Sequence, residues 1–123
     1  MVQLLAVLIP LLLTIEGSNR DNVPPGDDGA AIGCLQIHKI YVREVNRILG
    51  ENRYTYADRH DKNKSIEMAK IHIAYWSPKN MTGSLIDKLV IMGRTHNAGP
   101  FGYNKKCSIP YAKKIKKEYY KTR

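Results

Sequence analysis

The sequence is poor in the residues that small metal and redox sites require. Its 123 residues include only two cysteines, Cys34 and Cys107, which lie far apart and in no CxxC arrangement. Its four histidines form no HExxH motif, and no carboxylate stands at helical spacing from two of them. We therefore expect no metal and no cofactor. The even cysteine count suits one disulfide, and two buried thiols are an equally open alternative.

A long hydrophobic run is also missing. The longest apolar stretch, Leu4 to Leu13, is shorter than a membrane-spanning helix, which needs about 20 residues. It resembles the apolar part of an export signal, but no Lys or Arg precedes it and no Ala-x-Ala site follows it. We predict a buried core helix here, and an export signal stays the alternative interpretation.

Acidic residues are scarce relative to basic ones. Twenty Lys and Arg against eleven Asp and Glu leave a net charge of +9 at neutral pH, which favours an anionic partner. The densest basic run, residues 113–117, is accompanied by no zinc-finger, RRM or basic-zipper spacing. We therefore expect no specific nucleic-acid binding, which leaves acidic membrane surfaces and anionic cell-wall polymers.

Alternating strand patterns are almost absent, whereas apolar residues recur at helical spacing. A leucine-rich first helix is expected to end near Gly17, and a second helix near Gly50. Ser65 and Ser84 are candidate caps for two further helices, and Pro110 opens the last one. The sequence thus predicts a mainly α, single helical domain over residues 1–123.

Carboxyl and amide side chains occur in an order that suits a small sugar-cleaving site. Glu16 ends the leucine-rich helix, where an apolar setting favours the protonated carboxyl that a glycosidase uses as general acid. Gly33 would let the backbone approach a ligand closely. Gln36 and Asn97 each offer one amide that both donates and accepts, as sugar hydroxyl and N-acetyl groups require. Gly99 follows in a tight turn with Pro100, although each segment alone also fits an ordinary turn or helix cap.

In these segments the chain resembles the lytic-transglycosylase and goose-type lysozyme group of the lysozyme superfamily. That group has a catalytic Glu, then Gly-x-x-Gln-Ile/Leu, then a Tyr-Asn-Ala-Gly-like segment, then a Tyr on the last helix. Glu16, residues 33–37, residues 97–100 and Tyr111 match this order. The resemblance departs at Gly17, where the family usually has Ser, and at His96, where it commonly has Tyr.

The resemblance implies a lysozyme-like, transglycosylase-type fold with an irregular active-site loop. It also implies that Glu16 cleaves the β-1,4 bond between N-acetylmuramic acid and N-acetylglucosamine. Gln36 and Asn97 would hold sugar or the glutamate, and Tyr111 would direct its hydroxyl into the site. The expected partners are peptidoglycan glycan strands and anionic wall polymers. The expected protein is a monomer that is secreted or located in the cell wall or periplasm.

Two further sets of residues are candidates for the site. Tyr103, with Tyr75 and Trp76, is a candidate for stacking on sugar faces, although core packing is the favoured interpretation of Trp76. If the enzyme uses water, as we favour, Asp27 and Asp28 are the candidate water-holding carboxylates, with Asp21 behind them. Turn formation explains these aspartates equally well. A transglycosylase would instead use Glu16 alone and leave a 1,6-anhydro product.

Two other classes of function remain open. A non-catalytic cell-wall glycan-binding protein would keep the groove without the chemistry, and Gly17 is the feature that favours it. A cationic, membrane-active antibacterial protein would depend on the positive charge and the leucine-rich amino terminus. Killing that survives Glu16→Gln would separate membrane action from enzyme action.

Overall fold

The structure, a computed structural model, describes residues 1–17 and 23–121. Most of this part of the chain lies in five α-helices, namely α1 (Val2–Gly17), α2 (Lys39–Leu49), α3 (Lys62–Trp76), α4 (Leu85–Ala98) and α5 (Ile109–Lys121). Short 3₁₀ turns lie at Asp27–Gly29, Tyr56–His60, Gly102–Asn104 and Lys106–Ser108. Within the described residues, β-type pairing is limited to two isolated bridges, Gly26 with Ala31 and Ile32 with Ile37. The mainly α prediction is confirmed.

Helix α1 is the buried helix that its leucines predict. Leu8 and Leu12 have no exposed surface, and four neighbouring apolar side chains are almost as buried. Pro10 lies inside the helix, where it lacks the N–H that would bond to the preceding turn. Because the helix ends at Gly17, it carries Glu16 in its last turn. No helix in the described ranges is long and apolar enough to cross a membrane.

Two helix ends follow the local sequence signals. Gly50 ends α2 in the left-handed conformation, with φ 72°, and its N–H donates to carbonyls of the last turn. At the start of α4, the Ser84 side chain accepts from the Asp87 N–H, and the Asp87 carboxylate accepts from the Ser84 N–H. The prediction of Ser84 as a cap is therefore confirmed, and the two residues form a capping box.

The start of α3 differs from the prediction. Asp61 is the cap, since its carboxylate accepts from the Lys64 N–H, and the helix begins at Lys62. Ser65 lies inside the helix and is fully buried, where its hydroxyl donates to the Arg59 carbonyl over 3.0 Å. The prediction of Ser65 as the cap is wrong because its hydroxyl is used in this tertiary contact.

Residues 30–37, which precede α2, are held against the 3₁₀ turn at Tyr56–His60. The buried Arg59 guanidinium donates to the Ile37 carbonyl over 3.1 Å and to the Tyr56 carbonyl over 2.8 Å. Gly33 packs against the same turn, since a Cβ built there would lie 1.9 Å from the Arg59 carbonyl oxygen. These contacts fix the loop that bears Asp27 and Gln36.

The buried apolar side chains form one cluster to which all five helices contribute. Its fully buried members include Leu8, Leu12, Val42, Val45, Met68, Ile73, Leu89, Met92 and Ile115. Cys34 is buried and Cys107 is exposed, and no disulfide joins them.

Candidate active site

A cleft of about 600 Å³ lies beside the end of α1, and each of the five helices contributes to its lining. Six of the nine predicted site residues line it, namely Glu16, Asp27, Gln36, Asn97, Gly99 and Tyr111. Asp28, Gly33 and Tyr103 do not. The predicted segments are far apart along the chain, and the packing of α1, α4 and α5 brings them together at one cleft.

Glu16 is a largely buried carboxyl on the cleft wall, with its side chain 17% exposed. Its Oε2 lies 3.7 Å from Nε2 of His96. Among residues 1–17 and 23–121, no lysine or arginine lies within ion-pair distance of it. Gly17 follows directly, and a Cβ there would lie 2.5 Å from a Val23 methyl group. Packing against Val23 therefore favours glycine where the resembled family has serine.

His96 is a buried neighbour of Glu16 with both ring nitrogens engaged. Its Nε2 lies 3.2 Å from the Leu35 carbonyl oxygen, which only accepts, so a neutral ring carries its hydrogen on Nε2. Its Nδ1 lies 2.9 Å from the Tyr41 hydroxyl, which then donates. Burial, together with the charge of Glu16, raises the pKa of Tyr41 well above its usual value, so this hydroxyl stays protonated. The Nε2 side of the His96 ring therefore faces both the Leu35 carbonyl oxygen and the Glu16 carboxyl.

Tyr111 brings a second buried hydroxyl towards Glu16 from α5. Burial and then the nearby Glu16 charge raise the Tyr111 pKa well above its usual value, so the phenol stays neutral. By geometry its hydroxyl falls short of a hydrogen bond with any described residue. Tyr111 therefore lines the cleft beside Glu16, and the role that the resemblance implies for its hydroxyl stays a prediction.

His72 lies in the cleft wall behind Tyr41. The two rings stack with centroids 4.2 Å apart, and His72 is almost wholly buried. Its Nδ1 has no hydrogen-bond partner in the described part of the chain. Burial, with a smaller effect of His96, lowers the His72 pKa to about 4, so the ring is neutral at neutral pH.

The loop contributes Asp27 and His38 to the rim of the cleft. Asp27 Oδ2 lies 2.8 Å from His38 Nε2, and the Asp27 side chain is 70% exposed. Asp27 and Asp28 adopt left-handed backbone conformations, with φ 49° and 56°, which are uncommon for residues with a side chain. Asp28 does not reach the cleft, and Asp21 lies outside the described residues.

Gln36 and Gly33 both make contacts that hold the loop. The Gln36 amide nitrogen donates to the Gly33 carbonyl over 2.9 Å and to the Pro24 carbonyl over 3.3 Å, so its donors hold the loop itself. Gly33 has φ +82° and packs against the Arg59 carbonyl. The prediction that Gly33 lets a ligand approach the backbone closely is wrong, because the Arg59 carbonyl occupies that space.

Glu44 is a third carboxylate in the cleft, beside Glu16 and Asp27. It accepts from Trp76 Nε1 over 2.9 Å, and both of its oxygens accept from the Arg47 guanidinium. The Arg47 bond is the largest cause that lowers its pKa, so it stays ionised. Trp76 therefore contacts the cleft residue Glu44, but neither Trp76 nor Tyr75 lines the cleft itself.

Several residues of the cleft carried no sequence signal. The spacing of Glu44 and Arg47 predicts an ion pair on a helix, but nothing local indicates that it faces a cleft. Tyr41 and His96 are 55 positions apart. Within the described ranges, no three His, Cys, Asp or Glu side chains are grouped to hold a metal ion.

No protein-family model matches the chain, and neither a curated protein nor a solved structure matches it.

Proposed function

We propose that the chain has a lysozyme-like fold and cleaves peptidoglycan. The bond is the β-1,4 linkage between N-acetylmuramic acid and N-acetylglucosamine, and Glu16 is the general acid. The observation that carries the proposal is the largely buried Glu16 carboxyl in a cleft that Asn97, Gly99 and Tyr111 also line. The volume of about 600 Å³ falls within the range of ligand sites, roughly 300–1,000 Å³.

In the first step, Glu16 donates its proton to the glycosidic oxygen while the bond from that oxygen to the sugar's C1 breaks. The leaving sugar departs as an alcohol, and positive charge develops at C1. No described lysine or arginine lies within ion-pair distance of the Glu16 carboxyl. His96 Nε2, 3.7 Å from the carboxyl, helps to accommodate the carboxylate that proton donation leaves.

In the second step, we propose that water attacks C1 with help from Asp27. His38 binds Asp27 Oδ2, which leaves Oδ1 without a hydrogen bond to any described residue and able to accept from a water. Glu44 is less suitable because Arg47 and Trp76 occupy its oxygens. Asp27 takes one proton from the attacking water, and hydrolysis releases a reducing sugar end. Proton exchange with solvent then deprotonates Asp27 and reprotonates Glu16.

The test is digestion of purified peptidoglycan, with the soluble products separated by mass spectrometry. Glu16→Gln is expected to lower the rate by about 10²–10⁴-fold, the usual contribution of a general acid. Asp27→Asn is expected to lower it as well. Glu51→Gln is the matched control, since Glu51 is an exposed carboxylate that pairs with Arg53 and does not line the cleft.

The product structure separates the possible outcomes. Reducing-end muropeptides support water attack, whereas 1,6-anhydro muropeptides would assign both steps to Glu16 and refute the role of Asp27. A folded wild-type protein that pellets with the wall but releases nothing would refute the enzyme and leave a glycan-binding module. Unfolding curves of each variant establish that lost activity is not lost folding.

A further inference from the structure

Two lysines line the same cleft, and both come from the carboxyl-terminal part of the chain. Lys105 Nζ donates to the Ala98 carbonyl over 2.9 Å, which holds its ammonium group beside residues 97–100 of the cleft wall. Lys114 follows Tyr111 by three positions on α5, so the two share a helix face. The cleft is thus bordered by cations on the side that α5 and the segment before it supply.

Neither lysine has a carboxylate partner within the described residues. The acids of the cleft have other neighbours, because Asp27 contacts His38 and Glu44 contacts Arg47. Lys105 has two N–H groups left after its bond to Ala98, since an ammonium group has three. The cleft therefore presents two cations that its own residues do not neutralise.

We propose that Lys105 and Lys114 form a carboxylate-binding subsite, which selects acidic glycans over neutral ones. The inference rests on the proposed function and names the substrate feature that the site reads. Chitin has the same β-1,4 linkage and N-acetyl groups but no carboxylate. The acidic sugar of peptidoglycan carries one on its lactyl group, or on the peptide joined to that group.

The two lysines suit this task because an ammonium group binds a carboxylate through short, charge-assisted hydrogen bonds. Both side chains are exposed, so added salt should weaken the interaction. Replacing the two lysines should weaken substrate binding more than it slows bond cleavage, since neither lysine is next to Glu16.

The experiment compares two double variants with the same change in net charge. Lys105→Gln/Lys114→Gln removes the subsite, whereas Lys113→Gln/Lys117→Gln removes two exposed α5 cations that do not line the cleft. Cleavage is measured on untreated peptidoglycan, on peptidoglycan whose carboxylates have been converted to methylamides, and on N-acetylglucosamine hexamer. A fourth substrate, peptidoglycan stripped of its peptides, separates the lactyl carboxylate from peptide carboxylates.

We expect the subsite variant to raise KM on untreated peptidoglycan about tenfold, with kcat little changed. The control variant should change KM less than threefold, and neither variant should affect the methylamide substrate. Equal losses in the two variants, or equal wild-type KM values on untreated and methylamidated substrate, would overturn the subsite.

A separate measurement of binding affinity distinguishes failure of the subsite from failure of the proposed cleavage. The same lysine changes are made in the Glu16→Gln protein, and its Kd for soluble glycan fragments is measured. A charge-dependent Kd that requires Lys105 and Lys114 supports the subsite even if no variant cleaves a bond. Active protein with a Kd indifferent to both lysines would refute the subsite and leave the proposed cleavage standing.

Discussion

The buried His72 ring predicts that the protein loses stability in weak acid. Its pKa is about 4 in the folded protein, against 6.5 when unperturbed, because burial disfavours the charged ring. Between those two pH values the unfolded chain binds a proton that the folded chain does not. The free energy of unfolding therefore falls as the pH drops through this window. A difference of 2.5 pKa units corresponds to about 3 kcal/mol in full, and to about 2 kcal/mol between pH 7 and pH 5.

The matching perturbation is His72→Phe, which keeps an aromatic ring against Tyr41 and removes the titrating group. Urea unfolding at pH 7 and pH 5 gives the loss of stability for each protein. We expect the loss in the variant to be about 2 kcal/mol smaller than in the wild type. His60→Gln, at an exposed histidine, should behave like the wild type. Equal losses in wild type and His72→Phe would refute the assignment, whatever the absolute stability of the variant.

Two further predictions concern the loop and the cleft. Gly33→Ala should lower the free energy of unfolding by more than about 3 kcal/mol, because it adds a clash with the Arg59 carbonyl to a positive φ. Gly50→Ala has a positive φ but open space, so about 1 kcal/mol is expected, and equal losses in urea unfolding would contradict the clash. Tyr41→Phe leaves His96 Nδ1 without its donor and should cost about 1–3 kcal/mol, with slower muropeptide release. A variant as stable and active as the wild type would show that this bond does not position His96.

The helices were largely predictable because their signals are local. The ends of α1 and α2 depend on glycines within one turn, and the start of α4 depends on the Ser84 capping box. The start of α3 was not predictable in this way, since Asp61 and Ser65 are both good caps. Which of the two residues caps α3 depends on the buried Arg59 carbonyl, which accepts a hydrogen bond from the Ser65 hydroxyl.

The site was predictable only where a residue belongs to a recognisable segment. Glu16, Asn97 and Tyr111 belong to such segments, and all three line the cleft. Tyr41 and His72 belong to none, because each looks like an ordinary helix residue. Their places depend on how α2 and α3 pack together, which no short stretch of sequence specifies.

Gln36 and Asn97 have the same predicted role, but their side-chain hydrogen bonds in the cleft differ. Gln36 adopts φ 51°, and its amide donors bind loop carbonyls, so it stabilises an uncommon backbone conformation of the wall. Asn97 is exposed in the cleft, and its side chain has no hydrogen bond to any described residue. Since a sugar must find partners not already used by the protein, Asn97 is the amide that would bind it. If the chain cleaves glycan as proposed, Gln36 would act through the shape of the loop, whereas Asn97 would contact the sugar directly.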